Sequence, residues 1–149
     1  MSSTTDNARK IIVTQALPYA NASLHLGHIL EAVQTDIWSR FQNKSGNECL
    51  FFCADDTHGT PVMLKAKELG KSPEDLIKEV QRDHEETYKL YDINFTNYHT
   101  THSDENKKYS EKIYLKAKEN NLITRRSINQ LYDEAESMFL SDRFVKGTC

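Results

Sequence analysis

Residues 11–28 read IIVTQALPYANASLHLGH, a short β-branched run followed by a connection of unusual composition. The connection, Ala16 to His28, holds a proline, a glycine, a tyrosine beside small polar residues, and two histidines three positions apart. An ordinary strand-to-helix connection needs about two to six residues and has no use for paired histidines. Lys10 to Gln15 reads as a buried parallel strand, because it is β-branched and does not alternate. Beyond the connection, Leu26, Ile29, Leu30, Val33, Ile37 and Phe41 recur at helical spacing and predict one apolar face. Gly46 suits the C-terminal cap of that helix.

The same alternation continues along the chain. A second strand is predicted over Glu48 to Ala54, then a loop, DDTHGT, and a short helix from Pro61 to Gly70. Ser72-Pro73-Glu74-Asp75 is a helix start, with a hydroxyl cap, proline at the first helical position and acids in the first turn. That helix is predicted to run to about Tyr91. INFTNYHTTH supplies a third strand and loop, and Ser103 caps a further helix. SINQLYD and MFLSDRF resemble the two arms of a hairpin. Strand, helix, strand, helix in this order implies an α/β fold with a parallel sheet. Ligands in such sheets bind beyond the carboxyl ends of the strands. The loops Ala16–His28 and Asp55–Thr60 both follow strands and are expected to form one site.

Composition narrows the class. The 149 residues carry a net charge of −3, with 28% charged and 38% hydrophobic side chains, as expected of a globular domain without an overall basic field. MSSTTDNARK is polar and has no signal-peptide core, and CLFFCA is far too short to span a bilayer. Three cysteines make no disulfide framework. Cys49 and Cys53 lie four apart in a strand and should face the same side as buried thiols of a reducing, cytoplasmic protein.

His25 and His28 fall in the first turn of the helix that begins near Leu24. The free N–H groups and partial positive charge of a helix N-terminus suit phosphate there. Gly27 between them removes a side chain, so that a flat ring can lie against the backbone. Asp55, Asp56 and His58 superficially resemble metal ligands, but adjacent carboxylates in an extended loop point in different directions. A carboxylate at a strand end can instead hold an ammonium group. Tyr19 and Leu17 can wall an apolar pocket. Each residue also has an ordinary reading: His25 as a polar cap, Asp55 or Asp56 as a turn former before Pro61, Tyr19 as packing.

Taken together, these residues resemble a known family. ALPYANASLHLGH resembles the signature region of class I aminoacyl-tRNA synthetases, and CADDTHGTPV and FLSDRFVKGTC narrow the resemblance to the methionyl branch, of the type with a zinc-bearing insertion. The similarity runs from about Lys10 to Cys149. It implies a Rossmann-like catalytic domain with a parallel sheet and flanking helices. The implied activity condenses methionine with ATP, taken as its Mg²⁺ complex, and passes the methionyl group to methionine tRNA. By the resemblance, His25 and His28 stabilise charge on the phosphates, with Gly27 and Glu31 also at the ATP site. Ala16, Leu17 and Tyr19 line the methionine pocket, Asp56 holds the α-ammonium, and Cys149 is the first ligand of a zinc site that is incomplete here.

The implied organisation is a leader over residues 1–9, the N-terminal part of the catalytic domain over 10–126, and the stem of the inserted zinc domain over 127–149. Ala22 stands where many relatives have glycine. The family's second signature loop and its anticodon-binding domain are absent, so the chain resembles an N-terminal piece and is expected to be inactive alone. Two alternatives stand beside this reading: a small nucleotidyltransferase, whose fold also starts a helix with His-x-Gly-His, and a non-catalytic module that keeps the fold and binds a partner.

Overall fold

The computed structural model describes residues 8–135 and 137–140. Two compact units divide the chain, Met1–Tyr109 and Ser110–Cys149. The first unit contains the strands β1 (Lys10–Thr14), β2 (Glu48–Asp55) and β3 (Asn97–Thr100). It also contains the helices α1 (Leu26–Lys44), α2 (Thr60–Glu68) and α3 (Pro73–Leu90) and the start of α4 (Asp104–Glu119). All three strands are parallel, in the order β1-β2-β3, with Lys10 opposite Glu48 and Asp55 opposite Thr100. The expected α/β architecture is therefore present.

Local chemistry places the starts of α3 and α4 and the end of α1 where the sequence predicts them, but α1 begins at Leu26 and not near Leu24, so His25 is its N-cap and not a residue of its first turn. The Ser72 hydroxyl accepts the Asp75 N–H at 3.1 Å and Pro73 opens α3; such a cap is worth about 1 kcal/mol. The Ser103 hydroxyl accepts the Asn106 N–H at 3.2 Å at the start of α4. Gly46, at φ +88°, takes the left-handed conformation that ends α1.

Alternation along β2 buries Cys49, Phe51, Cys53 and Asp55 on one face. Cys49 and Cys53 are free thiols, and burial pushes Cys53 up to about 12, so it is unreactive packing. Phe51 joins Ile29, Ala32, Tyr88 and Ile93 in one core cluster, with Val13, Phe95 and Tyr98 packed around it. A second cluster links α2 to α3 through Val62, Ala66, Leu76 and Ile77 and takes in Ala20 from the first loop.

Two expectations are corrected. Within this chain β1 is a parallel strand but not a buried one: among the described residues it pairs with β2 alone, and Ile12 is 71% exposed. An edge strand with one packed face hides only alternate residues, here Ile11 and Val13 in part. The apolar residues of α1 also split into two stripes. Ile29 and Ala32 are buried against the sheet, with Asp36 and Ser39 further along the same side. Leu26, Leu30, Ile37 and Phe41, which share a stripe at helical spacing, are each 60% exposed or more. Buried Asp36 is satisfied by Arg40 at 2.5 Å and by the Asn94 N–H at 3.1 Å, which is how a polar residue sits against the core.

In the second unit, β4 (Tyr132–Asp133) and β5 (Met138–Phe139) pair antiparallel, and the Tyr132 and Phe139 rings meet edge to face at 5.0 Å. This is the hairpin expected from the sequence, as far as residue 140. Most of the expected leader and the zinc-ligand assignment at Cys149 lie outside the described residues.

Candidate functional site

The two unusual loops meet. The Asp56 N–H donates to the Pro18 carbonyl and the Ala20 N–H to the Asp56 carbonyl, both at 2.8 Å, so Tyr19 and Asp56 form a parallel bridge beyond the strands. The Tyr19 hydroxyl donates to the His58 carbonyl at 2.7 Å. Pro18 and Ala20 are buried, while Ala16 and Leu17 are exposed and Tyr19 and Asp56 lie between. The second loop is tied to the end of β3: the Thr57 N–H donates to Thr101 Oγ1 at 3.0 Å, and His58 Nε2 lies 3.2 Å from the Thr101 carbonyl.

α1 begins in a capping box built from imidazoles. His25, extended at φ −107°, is the N-cap, and its Nδ1 accepts the Gly27 N–H at 3.1 Å. His28, three residues on, accepts the His25 N–H through its own Nδ1 at 3.3 Å. Because each Nδ1 accepts an amide proton, each neutral ring carries its own proton on Nε2. The rings stack with centroids 3.7 Å apart and planes 15° apart. Burial, with the neighbouring His25 and His84 as the next causes, lowers the His28 pKa from its ordinary value and keeps that ring neutral. Two N–H donors therefore stand together at the positive end of a 19-residue helix.

Gly27 is required by this stack. A Cβ there would lie 2.9 Å from His25 Cε1 and 3.0 Å from Nδ1. The flat ring that rests on this backbone is the protein's own. Glu31 is engaged too, its Oε1 accepting the Ala16 N–H at 2.7 Å, so it anchors the start of the first loop to α1.

Asp55 turns inward and Asp56 does not, as successive strand residues must. Asp55 Oδ1 accepts the Tyr98 hydroxyl at 2.5 Å and lies 2.6 Å from His84 Nδ1. The far nitrogen of His84, Nε2, lies 2.9 Å from the Ala22 carbonyl. Both side chains of the Asp55–His84 pair are fully buried. Among the described residues no three or more of His, Cys, Asp and Glu are grouped as a metal would need.

The sequence reading missed His84 and Tyr98. The available signal was weak: His84 falls on the apolar face of α3 with Ile77, Val80 and Tyr88, where a histidine most often reads as packing.

Burial opposes the charge on His84, but the Asp55 carboxylate, the Ala22 carbonyl and Asp83 outweigh it and raise its pKa. The groups around it are Asp55 on β2, Tyr98 on β3, Asp83 on α3 itself, and His28 on α1. A raised pKa means that the folded state holds the proton more tightly. The pair's contribution is thus complete below the ordinary histidine value of about 6.5 and is lost as pH rises through the folded-state value. Breaking such a pair costs about 3–5 kcal/mol. The urea midpoint of the unsubstituted chain should exceed that of His84→Gln most at about pH 6, and the gap should shrink on raising the pH. A gap that widened with pH would show the ring to be neutral.

A parallel sheet whose first strand leads into a histidine-capped helix defines a Rossmann-like domain. The family model described as tRNA synthetases class I (M) matches residues 11–149, and the chain belongs to that family. Among curated proteins, the methionine–tRNA ligases of two Leptospira biflexa Patoc strains are each 61% identical over 142 residues. That stretch is 95% of this chain but 21% of theirs, so the chain spans about a fifth of the length of these curated relatives. Among solved structures, Mycobacterium tuberculosis methionyl-tRNA synthetase in complex with methionyl-adenylate superposes with a TM-score of 0.80 at 21% identity, over 91% of this chain and 26% of that one. The Agrobacterium radiobacter K84 LeuRS in its ternary complex with tRNA and LeuAMS gives 0.79, also at 21%, over 93% and 18%. At that identity these two structures establish the fold.

Proposed function

We propose that this chain is the N-terminal part of a methionine–tRNA ligase, a cytoplasmic enzyme that activates methionine with ATP and loads methionine tRNA. The observation that carries the reading is the stacked His25–His28 pair at the start of α1, standing in the loop that bridges to Asp56. Family membership and the 61% identity to methionine–tRNA ligases support it.

In this reading the methionine carboxylate attacks the α-phosphorus of Mg²⁺-bound ATP. A new C–O–P linkage forms, the bond to the bridging oxygen breaks, and pyrophosphate leaves. The amino acid lies against Ala16, Leu17 and Tyr19, with its ammonium on Asp56. The phosphates lie at His25, Gly27 and His28, with Glu31 beside the adenosine. The two Nε2–H donors act by standing where negative charge grows, and move no proton. In the second step a terminal ribose hydroxyl of the tRNA attacks the methionyl carbonyl and AMP leaves. Residues 10–126 belong to the catalytic domain and 127–149 to the stem of an insertion. Zinc enters only through the resemblance at Cys149, and no step above passes through it.

The exposed stripe Leu26, Leu30, Ile37 and Phe41, with Ile12 on β1, is apolar surface that a complete catalytic domain would cover. The decisive measurement is methionine-dependent exchange of pyrophosphate into ATP. The full-length protein should catalyse it, and the 149-residue chain alone should show none. No exchange by the full-length protein would exclude the ligase and leave a non-catalytic module. Exchange by the short chain at a comparable rate would overturn the assignment of these residues to an incomplete domain.

A further inference from the structure

His84 has no part in the chemistry above, yet its ring bonds to both substrate loops. Its Nε2 faces the Ala22 carbonyl at 2.9 Å, and a carbonyl has no proton to give, so Nε2 donates. Its Nδ1 faces Asp55 Oδ1 at 2.6 Å. That oxygen also accepts the Tyr98 hydroxyl, which favours the carboxylate and leaves the second proton on the ring. Asp55 Oδ2 is buried without a hydrogen-bond partner in the structure, so the Asp55 side chain is held through Oδ1.

The two acceptors sit at telling places. Ala22 lies three residues before the N-cap His25, and Asp55 immediately precedes Asp56. We propose that His84 is a positioning residue held as an imidazolium, whose two N–H groups clamp the Ala22 carbonyl and the Asp55 carboxylate and so set the separation of His25 and His28 from Asp56. The functional half of this inference rests on the ligase reading; the state of the ring does not. Because each ring nitrogen serves one loop, the two contacts separate by substitution. Asparagine places an amide near the Nδ1 position and keeps the Asp55 contact. Glutamine reaches the Nε2 position and keeps the Ala22 contact.

The first test is ¹⁵N NMR of the imidazole rings in the unsubstituted chain at pH 7.5. His84, assigned through its own backbone, should show two protonated ring nitrogens; one bare nitrogen would overturn the proposal. The second test is kinetic, in the full-length protein. His84→Asn should lower kcat for pyrophosphate exchange by about tenfold or more, with the methionine KM within about twofold, because the histidine loop is released. His84→Gln should do the reverse, raising the methionine KM by about tenfold or more with kcat within about threefold. If both variants changed kcat and KM in the same proportion, His84 would be ordinary packing and the proposal would fall. A wild-type enzyme without exchange would instead sink the ligase reading, and the NMR result would still decide the state of the ring.

Discussion

Replacing either histidine at the start of α1 by alanine is expected to slow methionyl-adenylate formation by the full-length protein about 10²- to 10³-fold, the usual cost of one preorganised donor. The methionine KM should change little, because neither imidazole is assigned to the amino acid. The geometry explains why the effect should be large for both. Each Nδ1 is spent on an amide of the helix start, at 3.1 and 3.3 Å, so each Nε2–H is aimed by a hydrogen bond on the far side of its own ring. The stack at 3.7 Å then holds the two donors together before any substrate arrives. Removing one ring also frees its neighbour, so the double variant should be scarcely worse than the worse single one. Single-turnover formation of methionyl-adenylate decides the matter. Near-normal rates in either variant would remove that histidine from the transition state.

The second large effect is expected at Asp56. Asp56→Asn keeps the side-chain shape and leaves the backbone bridge to Tyr19 in place, but removes the charge proposed to hold the methionine ammonium. Loss of a charged partner in a closed site costs about 2–5 kcal/mol. That corresponds to a fall of roughly thirty-fold to several thousand-fold in kcat/KM for methionine. The loss should extend to every analogue with a free α-amine, whereas affinity for ATP should hold. Asp55→Asn should behave differently, because Asp55 faces inward to His84 and Tyr98, and its loss should appear first as lower stability. An anomalous-scattering peak from a metal between Asp55, Asp56 and His58 would reject the ammonium role and make the loop a metal site.

Much of this was legible in the sequence, because it depends on short-range chemistry. The β-branched run at Ile11–Val13, the proline and hydroxyl at the start of α3, and the glycine after α1 act within one turn of chain. They therefore yield the element order and, through the rule for parallel sheets, the meeting of two loops about thirty residues apart. The H-L-G-H start of α1 is equally local: a histidine at the N-cap and another three residues later are what an imidazole capping box requires.

Tertiary structure alone decided the rest. Apolar spacing along α1 shows which side chains can be buried but not which are covered, so Leu30 and Phe41 lie open while Ile29 and Ala32 are packed. β1 has the composition of a central strand but, among the described residues, the position of an edge, since a second neighbour is a matter of sheet assembly and not of its own residues. His84 was the least legible of all. Its partners stand at positions 22 and 55, with Tyr98 sharing the same carboxylate, and only the folding of three separate segments onto the end of β2 brings them within bonding distance. In α3 the sequence could mark His84 as one more residue on an apolar face. Its charge, and the two loops it joins, come from the acceptors that the fold places at either end of its ring.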